Sequence, residues 1–178
     1  MKTSSAKYLV FFLVFCFATG HRLYSQGSVS LSAGGGFPDA VNLGFRLRVV
    51  QERIDFYGGF LPSINDKSMT SLQLAITYNF AGQSAHTWVP PWYARGGISY
   101  LKEKEKYWRK NSWYLDLRAG KAINFSKNAG LEIDAGLAFR FAYSTRYDWD
   151  YYWDYYNYDE KHRPGVTPVA GMRFFLNL

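Results

Sequence analysis

From Gly27 to the C-terminus, apolar residues recur at every second position, the spacing of a strand whose two faces differ in chemistry. In VNLGFRLRV, Val41, Leu43, Phe45, Leu47 and Val49 share one face, and Asn42, Gly44, Arg46 and Arg48 the other. LQLAITYNF sets Leu72, Leu74, Ile76, Tyr78 and Phe80 against Gln73, Ala75, Thr77 and Asn79. WYLDLRAG opposes Trp113, Leu115, Leu117 and Ala119 to Tyr114, Asp116, Arg118 and Gly120. LEIDAGLAFRFAY places Leu131, Ile133, Ala135, Leu137, Phe139, Phe141 and Tyr143 opposite Glu132, Asp134, Gly136, Ala138, Arg140 and Ala142. No segment carries a helical period. The pattern predicts an all-β chain of eight strands, over residues 28–35, 41–50, 54–61, 71–80, 92–101, 113–122, 131–143 and 169–178.

Which face points inward decides the architecture. A soluble barrel or sandwich buries its apolar face, whereas a membrane barrel turns it toward lipid. Three features favour the second. Gly44, Gly59, Gly120, Gly136 and Gly171 fall on the polar face, where a narrow lumen needs small residues. The apolar stretches match the ~9–11 residues with which a tilted strand crosses a bilayer. Tyr78, Phe80, Trp92, Tyr100, Trp113 and Tyr143 gather near strand ends, as interfacial girdles do. The prediction is an eight-stranded antiparallel up-and-down transmembrane β-barrel. A soluble periplasmic barrel holding an apolar ligand is the rival architecture.

The polar face then becomes a lumen. Arg46, Arg48, Arg95, Arg118, Arg140 and Arg173 face Asp55, Asp116, Glu132 and Asp134 there. An eight-stranded barrel is only wide enough for its side chains to fill it. The charges must therefore pair with one another, since an unpaired buried charge costs several kcal/mol. This predicts a plugged interior; a selective channel or internal proton path is the competing reading.

Residues 1–26 do not belong to this pattern. Lys2 and Lys7 precede the apolar run YLVFFLVFCF, which has the layout of a secretory signal peptide and about half the ~20 residues of a spanning helix. Cleavage after Gly20 and after Gln26 both fit. Cys16 follows bulky Phe15 inside the run, which argues against a lipid anchor. The expected mature domain is 27–178, which contains no cysteine and so neither disulfide nor thiolate metal site. The formal charge of +7 falls to +4 without Lys2, Lys7 and Arg22, too little to argue for nucleic acid. No cofactor is expected, and the outer membrane is the expected location.

With the N-terminus on the periplasmic side, residues 51–53 and 123–128 are short inner turns and 81–91 a longer, proline-bearing one. The longest outward loop, 144–163, holds six Tyr and two Trp among carboxylates between Tyr147 and Arg163. Tyr147, Trp149, Tyr151, Tyr152, Trp153, Tyr155, Tyr156 and Tyr158 form a candidate recognition surface for an extracellular glycan or protein, because Tyr and Trp give rigid contact area with a polar tip. The alternative is a hairpin continuing above the membrane, stabilised by cross-strand aromatic pairs. A second outward connection, LKEKEKYWRK at 101–110, offers basic residues to lipopolysaccharide phosphates or is a solvated loop.

The C-terminal GMRFFLNL sets Met172, Phe174, Leu176 and Leu178 on one face. It resembles the terminal strand signal of outer-membrane barrels. With the eight alternating strands and the N-terminal segment, residues 27–178 resemble the small eight-stranded class typified by OmpX and the OmpA transmembrane domain. The chain ends in Leu instead of an aromatic residue, and Pro168, which cannot donate to a ladder, predicts that pairing of the last strand starts after it. The resemblance implies a monomer surrounded by outer-membrane lipid and lipopolysaccharide. A membrane-embedded lipid-modifying enzyme is a further alternative. Against it, His86 and His162 fall on opposite sides of the membrane, so no catalytic residue is assigned and the chain is expected not to be an enzyme.

Overall fold

The computed structural model describes residues 27–37, 40–64, 67–106, 108–147 and 165–178. The segment 1–26 read as a signal peptide, and the aromatic positions Trp149, Tyr151, Tyr152, Trp153, Tyr155, Tyr156 and Tyr158, lie outside the described residues; Tyr147 is the last residue of its strand.

The two-residue period produces strands throughout: β1 (Gly27–Phe37), β2 (Ala40–Val49), β3 (Glu52–Ile64), β4 (Lys67–Ala81), β5 (Trp92–Glu105), β6 (Trp108–Asn124), β7 (Ala129–Tyr147) and β8 (Gly165–Asn177). Each pairs antiparallel with its sequence neighbour, and β8 returns to β1, so the sheet closes in the order β1 to β8 and no edge is left open. The predicted eight-stranded antiparallel barrel is thus the fold.

Closure carries a stagger. Following the register from Leu31 through Phe45, Phe56, Leu74, Ile98, Leu115 and Phe139 leads to Val166 on β8. Leu31 itself pairs with Leu176, ten residues away along β8. A shear of this size obliges the strands to tilt, by about 35–45° in closed barrels. A line drawn across the strands from β1 toward β8 therefore climbs toward the end bearing the β7–β8 connection.

The faces separate as the sequence predicts. Leu43, Leu72 and Ile76 point outward and are 67%, 61% and 63% exposed, while Arg46, Asp55, Asp116 and Arg173 point inward and are almost wholly buried. The strands are longer than predicted. β5, β6 and β7 run to Glu105, from Trp108 and to Tyr147, so most of 101–110 is strand and not loop. The extra length is polar and paired in register, with Lys102 opposite Asn111 and Lys104 opposite Arg109.

Two expectations are corrected. Pairing of β8 begins at Gly165, before Pro168, which stands opposite Leu137. Pairing of β8 with β1 starts only at Ala170, so backbone groups directed away from β7 at position 168 have no ladder to serve, and a missing donor there costs nothing. Tyr143 does not join the outer girdle. Tyr114 pairs with Arg140 and Trp113 with Ala142, leaving Phe141 as the extra residue of a β-bulge. The bulge inverts the alternation, so Tyr143 sits opposite buried Ser112 on the inner side, with Lys110 Nζ 5.5 Å and the Arg140 guanidinium 4.7 Å from its ring.

At the end where β1 begins and β8 finishes, the β2–β3 turn closes in two residues with Val50 at φ 57°, a conformation a β-branched residue rarely adopts. The longer connection 82–91 folds over the same end. Asn79 Nδ2 donates to the Pro90 carbonyl at 2.8 Å, Asn124 Nδ2 donates to Ser84 Oγ at 2.9 Å, and Val89 is buried beneath it.

Candidate functional site

The interior holds a connected set of charged side chains. Arg46 and Arg53 approach Glu132 from β2 and β3: Arg53 Nη1 donates to Oε1 at 2.5 Å, and Arg46 Nη2 lies 2.9 Å from Oε2. Asp55, 2.6 Å from Arg53 Nε, also accepts from Thr77 Oγ1 at 2.7 Å. One residue pair along β7, Asp134 gathers Arg173 at 2.5 Å, Arg118 at 3.3 Å and Arg95 at 3.4 Å. Arg118 Nε donates to Asp116 at 2.9 Å, and Asp116 also accepts from Ser99 Oγ at 2.7 Å and Gln73 Nε2 at 2.9 Å. The Gln73 amide oxygen accepts in turn from Arg95. Strands β2 to β8 all contribute.

Tyrosines fill the space between the charges. The Tyr57 hydroxyl accepts from Arg46 Nε at 3.1 Å, and the Arg95 and Arg173 guanidiniums lie 4.8 and 4.9 Å from its ring centroid. Tyr93 donates to Asp134 at 3.3 Å and lies under Arg53. An aromatic ring can face several guanidiniums because its π-face is negative, while its hydroxyl supplies a local acceptor.

Eight of the ten positions read as a lumen network are in it: Arg46, Asp55, Arg95, Asp116, Arg118, Glu132, Asp134 and Arg173. Arg48 and Arg140 face the interior but are half-buried at opposite ends of the barrel and take part in none of the ion pairs above. Arg140 instead lies over the Tyr143 ring, its guanidinium 4.7 Å from the centroid. Sequence reasoning missed Arg53, because 51–53 read as a turn. Its signal was present: extending the period of Asp55 and Tyr57 by one step places Arg53 on the inner face. Tyr57, Tyr93 and Gln73 were not singled out, since an isolated polar residue on a polar face looks unremarkable until its partners are known.

Among the described residues, no three His, Cys, Asp or Glu side chains cluster in a way that would hold a metal ion. His86 belongs to the 82–91 connection and is exposed; His162 lies outside the described residues. Outside the barrel, Tyr100 and Trp113 pack with ring centroids 4.9 Å apart, and Tyr78, Phe80 and Trp92 form an exposed aromatic group toward the opposite end.

The class the fold and interior define is a closed eight-stranded barrel with a charged, side-chain-filled lumen and an apolar outer surface. Compared with protein-family models, curated proteins and solved structures, the chain matches none.

Proposed function

We propose that the chain is an outer-membrane β-barrel with a plugged interior, exported by the segment 1–26, whose role is structural or one of surface interaction through its outward end. The observation that carries this is the inverted distribution of side chains. Five arginines and four carboxylates are buried among the described residues, while the rows of Leu, Ile, Val and Phe are exposed around the barrel. In water such a continuous apolar belt would drive association; in a bilayer it is the favourable solvent contact. On β4 the belt runs from Leu72 to Phe80, which at ~3.3 Å per residue and the expected tilt covers roughly 20 Å, close to the apolar height of membrane barrels.

The lumen charges favour a plug over a pore, because each carboxylate is engaged by one or more arginines or by hydrogen-bond donors that a conducting path would have to displace. Surface interaction is favoured by the strands themselves. β6 and β7, of 17 and 19 residues, exceed what a bilayer crossing requires, and β7 ends at Tyr147, where the aromatic stretch of the sequence begins.

Gel mobility of the detergent-extracted membrane fraction, boiled against unboiled, tests the reading. A heat-dependent shift is expected, because a closed membrane barrel stays folded in detergent until heated. A water-soluble protein without such a shift would overturn it and transfer attention to a soluble barrel with an apolar ligand.

A further inference from the structure

The outer surface is uneven on one side. Gly58 points outward from β3 between Leu43 and Leu72, and a Cβ built there would find only Leu72 Cδ2, at 4.0 Å. Gly58 lies on the floor of an open groove of about 830 Å³ whose lining is almost entirely apolar, with the stacked rings of Phe45 and Phe56 and, further along, Tyr100 and Trp113 among its walls. Gly58, Leu72, Tyr100 and Trp113 are successive register partners, so the groove follows the climbing line of the stagger and rises toward the outward end.

Just beyond that end the charge is sorted by the strand period. In LKEKE, Lys102 and Lys104 are exposed on the outer face of β5, whereas Glu103 and Glu105 turn to the inner side, where Glu105 meets Lys67 at 2.9 Å. Lys104 stands directly opposite Arg109 on the same face. An apolar slot wide enough for a hydrocarbon chain thus leads through an aromatic pair to a cluster of cations.

We propose that the outer face of β3 to β6 binds a phosphorylated glycolipid of the outer leaflet, with an acyl chain over Gly58 and a phosphate held by Lys102, Lys104 and Arg109. The proposal rests on the membrane reading above, and goes beyond it in distinguishing one lipid site from the general lipid belt. The acyl chain replaces the side chain Gly58 lacks. The phosphate accepts charge-assisted hydrogen bonds from the ammonium and guanidinium groups, for which Tyr100 and Trp113 mark the interfacial depth.

The test is native mass spectrometry of the full chain in detergent, titrated with lipid A and separately with phosphatidylglycerol. One lipid A adduct per barrel is expected. Each basic residue beside an anionic headgroup contributes severalfold in affinity, so Lys102→Glu, Lys104→Glu and Arg109→Glu together should weaken binding on the order of a hundredfold. Gly58→Leu, which fills the slot and leaves the charges, should weaken it while preserving the heat-dependent gel shift. Unchanged affinity in the charge-reversed variant, or phosphatidylglycerol binding as tightly as lipid A, would overturn the site. A wild-type chain that stays folded and monodisperse without detergent would remove the membrane reading itself, and the lipid site with it.

Discussion

Arg53 on β3 and Glu132 on β7, 79 residues apart in sequence, meet at 2.5 Å inside the barrel. Neither is a neighbour of the other in the sheet; the contact spans the lumen and exists only when the barrel closes. Replacing Glu132 by Gln keeps the shape and removes the charge that neutralises Arg53 and Arg46. Removing one partner of a buried pair costs about 3–5 kcal/mol, because the other charge stays buried. Equilibrium urea unfolding of the detergent-folded barrel should show a loss of this size for Glu132→Gln. Glu132→Gln combined with Arg53→Met should recover part of it.

Tyr57 separates two contributions. Tyr57→Phe removes the acceptor for Arg46 Nε but keeps the ring against Arg95 and Arg173. The expected cost is about 1–2 kcal/mol, that of a lost hydrogen bond to a charged donor. Tyr57→Ala also removes the ring and should cost at least twice as much. Equal losses in the two variants by the same urea titration would mean the ring contributes nothing.

Glycines of the two faces should respond in opposite ways. A Cβ on Gly120 would lie 2.6 Å from the Ile133 carbonyl and from the Tyr93 hydroxyl, so Gly120→Ala must displace backbone or the tyrosine. A destabilisation of about 1–3 kcal/mol is expected from such overpacking. Gly58→Ala adds a methyl to open space on the outside and should be neutral or slightly stabilising, as read from the unfolding midpoint.

Much of this barrel was legible in the alternation. Arg46, Asp116, Glu132 and Asp134 could be placed inside because each shares a period with small or polar neighbours, and a charge-rich face opposite an apolar one leaves few folds open. What the period does not encode is where it stops. Arg53 was lost because a two-residue turn was read as three. The strand extensions at Lys102 to Glu105 and Trp108 to Asn111 were read as loop because they are polar on both faces, although pairing with a neighbour is enough to hold them. The partners of each carboxylate were not legible at all. They depend on the ten-residue stagger, which sets which side chains share a level and arises only on closure.

Phe141 shows how a single residue can defeat a parity argument, and deletion tests it. Because Arg140 pairs with Tyr114 and Ala142 with Trp113, Phe141 has no partner across β6. Removing it joins two stretches already in register: Glu132, Asp134 and Arg140 keep their faces below, Tyr143 and Thr145 keep theirs above, and only one exposed ring is lost. Deleting Phe139 instead, which pairs with Leu115, also uses up the extra residue, but leaves Arg140 to take the outward place opposite Leu115 and Phe141 the inward place opposite Tyr114. That one-residue slip turns both side chains to the other face, setting a guanidinium in the outward apolar row and an aromatic ring in the lumen. The Phe141 deletion should therefore retain the heat-dependent gel shift with stability within about 1 kcal/mol of wild type, the range of a surface change. The Phe139 deletion should lose about 2–4 kcal/mol, the cost of an arginine on the lipid-facing side of a barrel. Equal failure of the two would show that the bulge is needed for closure, its added twist bending β7 at the level where Trp113 and Tyr114 change register.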